Sequence, residues 1–255
     1  MGGAMSGRST GYLCLAITSV GWALNWPLIK IILEDWPPLF ARGLAGVIAA
    51  CLLAGLAAAR GQSLMVPRSA RPRLLFASFT NVFAWMGFST IAMKLVTVAQ
   101  CALIVYTMPV WAMLLAWPLA GERPTVRGVV AIVLAMAGVV LLLGGGLEFD
   151  GDRRLGIALS LASAVLFALG NVLNREPPPV PPLVDVAWQV GLGCLAMLAI
   201  GVAFEHPDYT ALSVAGAASF AYMVVVPMAI CYLAWFETVR RLSSVTASAG
   251  TTRMP

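Results

Sequence analysis

The sequence predicts an all-α polytopic membrane protein, and three observations carry that prediction. Its 255 residues are 60% hydrophobic and only 11% charged, with a mean hydropathy of +0.90, whereas roughly a quarter of the residues in an ordinary globular domain are charged. Several windows run to about 20 residues without a charge, the length at which a helix rising 1.5 Å per residue crosses a hydrocarbon core about 30 Å thick. The windows are continuously apolar and lack the dyad alternation of a barrel strand, so their backbone groups must be satisfied within helices.

Apolar windows bounded by charge and by Pro or Gly clusters place the spans in order at 11–31, 38–59, 73–93, 96–118, 125–145, 155–174, 183–204 and 212–236, with a ninth beginning near 244. Residues 1–10 precede the first, and Met1-Gly2-Gly3-Ala4 reads as an addition before a native start at Met5. Most connections are short. The longer ones are the basic Arg60 to Pro72 and the acidic Glu148 to Arg154. The fourth span starts polar at Gln100, is interrupted by Pro109 and Pro118, and ends in the charged turn Gly121-Glu122-Arg123. Five prolines between Pro177 and Pro182 form a stiff, extended linker after the sixth span.

A formal net charge of +5 would point a soluble protein toward nucleic acid, but here the basic residues sit between spans and set orientation, so no nucleic-acid partner is expected. With the N-terminus cytoplasmic, ten basic residues gather inside (Arg8, Arg60, Arg68, Arg71, Arg73, Arg123, Arg127, Arg175, Arg240 and Arg241). Four fall outside: Lys30, Lys94, Arg153 and Arg154. The five cysteines lie within apolar runs and contain no CxxC, which makes them packing residues. No metal or cofactor is expected.

An internal echo organises the chain. At a shift of 145, Trp22-Ala23-Leu24-Asn25 meets Phe167-Ala168-Leu169-Gly170 and Lys30 meets Arg175; at 146, residues 97–109 meet 243–255. Repeats of five spans enter the membrane from opposite sides, which gives an inverted-topology repeat of the kind found in secondary transporters. The expected plan is ten helices in two repeats around a central cavity. About eight and a half are present: 11–145 forms the first repeat, and 155–255 the second, ending within its fourth helix.

The segment from Pro109 to Gly128, with Gly121-Glu122 after an apolar run and Gly128 opening the next helix, resembles the EamA signature of the drug/metabolite transporter superfamily. Within it, the stretches Trp22 to Pro27 and Val105 to Trp111 are similar to the bacterial aromatic amino acid exporters. The resemblance implies a multi-pass inner-membrane carrier that moves amino acids, aromatic ones included, outward through a central cavity by alternating access. Its partners would be small-molecule amino acids and membrane lipids; the sequence leaves the oligomeric state open, a monomer being compatible with it.

Candidate substrate contacts are polar or aromatic residues near helix irregularities. Trp22, Asn25 and Trp26 precede Pro27, which removes a backbone bond and kinks a helix; Asn25 would serve equally to bond a neighbouring helix. Asn81 and Trp85 lie one turn apart, and Gln100, Tyr106 and Trp111 surround Pro109. Tyr106, Pro109 and Trp111 are expected to form one wall of the cavity. The second half offers Asn171 with Asn174, Trp188 with Gln189, and Tyr232 with Trp235. Aromatic faces attract ammonium groups and stack on aromatic solutes. Among the charges within spans, Arg253 is a candidate for a substrate carboxylate, whereas Arg42, a turn inside the second span, is expected to snorkel outward. Glu237 is expected to pair with Arg240 or Arg241. No Asp or Glu falls at the midplane of a complete span, so a buried carboxylate is not expected to shuttle protons.

Small-residue pairs (Gly46 and Ala50, Gly55 and Ala59, Ala131 and Ala135, Ala158 and Ala162) provide close helix contacts. A membrane-embedded enzyme is disfavoured, because His206 is the sole histidine, set in a loop, and no nucleophile elbow or phosphate-binding glycine loop occurs. A channel would need a charged ring or a carbonyl filter. A carrier of another cargo, such as a drug or a different metabolite, remains the main alternative to an amino acid exporter.

Overall fold

Proline placement decides where the apolar runs break into separate helices. The computed structural model describes residues 7–123, 125–144, 151–174, 179–234 and 238, and all regular structure among them is helical. Helix α1 (Gly7–Asp35) continues through Pro27. Helix α2 (Pro38–Ala59) begins on a proline, where the missing N–H has no helical partner to lose. Helix α3 (Arg68–Leu95) follows, then α4 (Val98–Val105), α5 (Met108–Ala120) and α6 (Val126–Gly144). Beyond them come α7 (Gly151–Leu173), α8 (Pro182–Phe204) and α9 (Val214–Ala234). Seven segments among the described residues are long and apolar enough to span a membrane, with α4 and α5 counted as one. The expected span near 244, the residues Trp235 and Glu237, and the echo at 243–255 lie outside the described residues.

The fourth expected span is broken rather than kinked. The ring of a proline within a helix clashes with the carbonyl four residues earlier, here Val105, and α4 stops at that residue. Tyr106 and Thr107 form the break, and Pro109 falls in the first turn of α5. Thr107 closes the gap by donating its hydroxyl to the Ile104 carbonyl at 2.6 Å.

Among the described residues two π-helical stretches interrupt the spans, Ser78–Phe88 in α3 and Val226–Ile230 in α9. The wider ring displaces carbonyls that must find partners away from water. In α3 hydroxyls supply them: Ser89 donates to the Trp85 carbonyl at 2.6 Å, Thr90 to that of Met86 at 2.6 Å, and Ser163 of α7 to Trp85 again at 3.0 Å.

Helices α2 and α8 make the most extensive contact in the bundle. A Cβ at Gly43 would lie 2.7 Å from the Leu198 Cα and 2.8 Å from the Cys194 carbonyl oxygen, and one at Gly46 would lie 2.6 Å from the Cys194 Cβ. Gly46 and Ala50 thus sit in the seam as their spacing predicts. Gly55 meets nothing within 4 Å, and Ala158 is exposed; on α7 the packed face is Gly156, Ser160, Ser163 and Ala164.

Acidic residues tie the loops at the end of the bundle that carries the α1–α2 turn. Glu205 accepts from the N–H groups of Leu39 and Phe40 at 3.1 and 2.8 Å, capping the exposed donors of α2. Asp35 accepts from the Ser213 N–H and hydroxyl at 2.9 and 2.6 Å, at the start of α9. Trp36 packs edge-on against Phe40 and Phe220 and donates its indole N–H to the Asp208 carbonyl at 3.0 Å. In the same loop, the hydroxyl and N–H of Thr210 hold the Asp208 carboxyl below its ordinary range.

Gly43→Ala is expected to destabilise the protein by about 1–3 kcal/mol through overpacking. Gly55→Ala, in open space, should change stability by no more than about 0.5 kcal/mol. Thermal unfolding of both variants in one detergent checks the contrast.

Candidate functional site

Six helical spans and the α4–α5 break surround a central cavity of about 480 Å³. Helix α1 contributes Trp22, Asn25 and Trp26; α2 contributes Arg42; the π stretch of α3 contributes Asn81 and Trp85. Tyr106 enters from the break between α4 and α5, while α7 adds Phe167 and Asn171. From α8 comes Gln189, and Tyr232 lies just beyond the π stretch of α9.

Each ring is held. The Trp22 indole donates to the Pro227 carbonyl at 3.1 Å and meets Tyr232 edge-on, with centroids 5.9 Å apart. Trp26 donates to the Tyr106 hydroxyl at 3.0 Å, their centroids 5.8 Å apart. Trp85 lies tilted against Phe167 at 5.4 Å. Asn81 sits at the closest approach of α3 and α7, where a Cβ on Gly170 would lie 2.8 Å from the Thr80 Cβ. Gln189 is bonded along its own helix, donating to Asp185 Oδ2 at 2.9 Å.

Three buried polar atoms on the cavity residues have no hydrogen-bond partner: Asn25 Oδ1, Arg42 Nε and Trp85 Nε1. Arg42 is the cavity's charged residue among those described. An aromatic and amide-lined chamber with unmatched donors and an acceptor can bind a small organic solute through stacking and a few directed hydrogen bonds.

The model of the EamA-like transporter family matches residues 9–144 and again 154–255. The chain belongs to the EamA-like transporter family. Among its relatives, the uncharacterized transporter YvbV of Bacillus subtilis is 29% identical over 232 residues, covering 89% of this chain and 74% of that protein. The probable amino-acid metabolite efflux pump of Salmonella typhimurium is 27% identical, covering 91% of this chain and 75% of its own. The aromatic amino acid exporter YddG of Ancylobacter novellus is also 27% identical, but the match spans 65% of this chain and 66% of that one. A solved crystal structure shares the fold at a TM-score of 0.61 and 19% identity, covering 94% of this chain and 91% of its own. Membership makes the chain a membrane transporter rather than an enzyme.

This EamA-like transporter gathers Trp22, Asn25, Trp26, Asn81, Trp85, Tyr106, Asn171 and Tyr232 around one cavity. Four other candidates lie elsewhere. Gln100 closes a capping box: its N–H donates to Thr97 Oγ1 and its Oε1 accepts from the Thr97 N–H, both at 3.2 Å. Trp111 donates to Thr107 Oγ1 at 3.1 Å and bolts the start of α5, so of the expected wall Tyr106 lines the cavity and Pro109 and Trp111 do not. Trp188 donates to the Leu64 carbonyl at 2.9 Å and lines a separate apolar groove with Leu64 and Leu192. Asn174 accepts from Arg73 Nε at 3.1 Å, away from the cavity lining. Arg253 lies outside the described residues.

Arg42 corrects the expectation of snorkelling. It is 4% exposed and points into the bundle, because it shares a helix face with Ala45, Gly46 and Ala49, the small residues on which α2 packs. That stripe was a readable signal that a charge among tightly packed small residues cannot reach lipid headgroups. Phe167 was the lining ring missed, since one phenylalanine in an apolar run has no signature.

Thr97→Ala and Gln100→Ala should each lower stability by about 1 kcal/mol, as expected for a lost cap. The double variant should lose little more than either, because the two bonds are reciprocal. Thermal unfolding of the set measures the coupling.

Proposed function

We propose that this EamA-like transporter is a secondary carrier exporting amino acids, aromatic ones among them, across the bacterial inner membrane. The observation that carries the reading is the cavity, where tryptophan, tyrosine and phenylalanine rings stand beside Asn25, Asn81 and Asn171. Rings suit a flat apolar body, and carboxamides suit charged ends that both donate and accept hydrogen bonds. The names borne by the Salmonella typhimurium and Ancylobacter novellus relatives support amino acids as the cargo class.

Export would proceed by alternating access of two inverted repeats. Supporting them, the α3 π stretch displaced by 145 positions covers the α9 π stretch. Contacts correspond as well: α3 packs on α7 and α8, as α9 packs on α1 and α2. The count of ten basic residues against four supports a cytoplasmic N-terminus.

In proteoliposomes, labelled tryptophan and phenylalanine should exchange, and Trp85→Leu should weaken their apparent affinity roughly three- to tenfold by removing the ring pair with Phe167. If no amino acid moves or competes while another metabolite or drug does, the cargo assignment is wrong. Orientation has its own check. In intact cells a membrane-impermeant maleimide should label Ala211→Cys and leave Ser63→Cys unlabelled; the reverse pattern would place the N-terminus outside.

A further inference from the structure

Arg42 is a buried cation left without a counter-ion among the described residues. Its Nη1 donates to the Met223 thioether at 3.2 Å, a weak acceptor, and its Nε has no partner. The nearby acidic groups that tie the loops are already used: Asp35 holds Ser213, and Glu205 holds the backbone of Leu39 and Phe40. No carboxylate is paired with Arg42 among the described residues. A guanidinium removed from water without an anion is strongly disfavoured, and charges inside a membrane bundle face cavities where a partner can arrive.

The geometry of the fork is selective. With Nη1 turned to Met223, the Nε side of the guanidinium remains, and that edge offers two parallel N–H donors to a carboxylate. Asn25, 8% exposed, lines the same cavity with an unpaired Oδ1. An acceptor and a cation, both buried and unsatisfied in one chamber, complement a molecule that carries an ammonium and a carboxylate at one end. Trp22 and Trp26, on the same helix as Asn25, line the cavity as well, and aromatic faces attract ammonium groups.

We propose that Arg42 is the cargo-carboxylate site and that Asn25 Oδ1 accepts a hydrogen bond from the cargo ammonium, so that this cavity recognises free α-amino acids by their common end. The ammonium half rests on the amino acid reading above; the Arg42 half requires only an organic anion.

The test measures binding to purified protein in detergent, by ligand-induced shifts in thermal unfolding and by calorimetry. Its probes are phenylalanine, 3-phenylpropionate, which lacks the ammonium, and phenylethylamine, which lacks the carboxylate. Wild-type protein should bind phenylalanine best and phenylethylamine at least about tenfold more weakly, the loss expected for one charged hydrogen-bonded contact. Arg42→Gln should abolish the preference for phenylalanine over phenylethylamine, Arg42→Lys should restore part of it, and Asn25→Leu should bring phenylalanine and 3-phenylpropionate to equal affinity. The wild-type series alone decides the matter where a variant fails to fold.

If 3-phenylpropionate binds through Arg42 and no amino acid binds, the carboxylate site stands and the amino acid reading falls. If phenylalanine binds equally well to wild type and Arg42→Gln, the amino acid reading stands and the Arg42 assignment falls. Phenylethylamine binding wild type as tightly as phenylalanine, or no carboxylate binding at all, overturns the Arg42 assignment.

Discussion

Within hydrocarbon every backbone N–H and C=O needs a partner from the protein itself, and the irregular points of this bundle are arranged around that requirement. Helices are interrupted where a hydroxyl, an indole or the cavity takes over the bonds the helix gives up. The α3 π stretch is held by Ser89, Thr90 and Ser163; that of α9 contains Pro227, whose carbonyl receives the Trp22 indole. The break at Tyr106 is bridged by Thr107 and braced by Trp111. All three irregularities place residues on the cavity wall: Asn81 and Trp85, Pro227 and Met228, and Tyr106. The same departures from regular helix that need local compensation therefore shape the binding chamber.

The α2–α8 seam sets the chamber's charge. Backbones this close leave no room for side chains at Gly43 or Gly46, so the α2 face bearing them is turned inward. Arg42 adjoins that face, and its cation is carried into the interior by the packing of its neighbours. Glu205 stabilises the first turn of α2 through Leu39 and Phe40 without reaching the guanidinium as a partner. The acid thus fixes the helix that carries the base, and the base stays available to the cavity.

Composition and periodicity made most of the helical fold legible. The helix bounds observed for α2, α8 and α6 lie within a residue or two of the apolar windows, because the charges and the Pro or Gly residues that end each apolar run also end the helix. The break at Tyr106 was encoded by Pro109, but the relevant position is four residues upstream, where the ring meets a carbonyl. Gln100 carried the Thr-x-x-Gln spacing of a capping box, a local pattern that outweighs a general preference for polar residues in cavities. Tyr106, beside the proline, was legible as lining, since an irregular backbone in a membrane protein must face protein or a cavity, but Trp111 beside the same break packs locally instead. Trp188 and Arg42 were harder, because their facing depends on which side of α8 meets α2, a relation between segments about 145 residues apart.

The proposed repeat sharpens the roles of the two halves. At a shift of 145, Asn25 corresponds to Gly170 and Arg42 to Ala187, while Trp85 corresponds to Ile230. Gly170 lets α7 approach Thr80 and Asn81, Ala187 is buried in the core, and Ile230 is exposed on the bundle surface. None of the three reproduces the polar atom of its counterpart, so among the described cavity-lining residues the unpartnered atoms fall in the first half, while those of the second half, Asn174 Nδ2 and Asp185 Oδ1, lie outside that lining. A frame whose halves move alike can alternate its opening without specifying a cargo, because equivalent packing supports both orientations. Recognition requires the opposite, a fixed polarity that orients one end of a solute. Placing Asn25, Arg42 and Trp85 in one half and pairing rings from the other against them gives the cavity that polarity while leaving the frame's contacts matched.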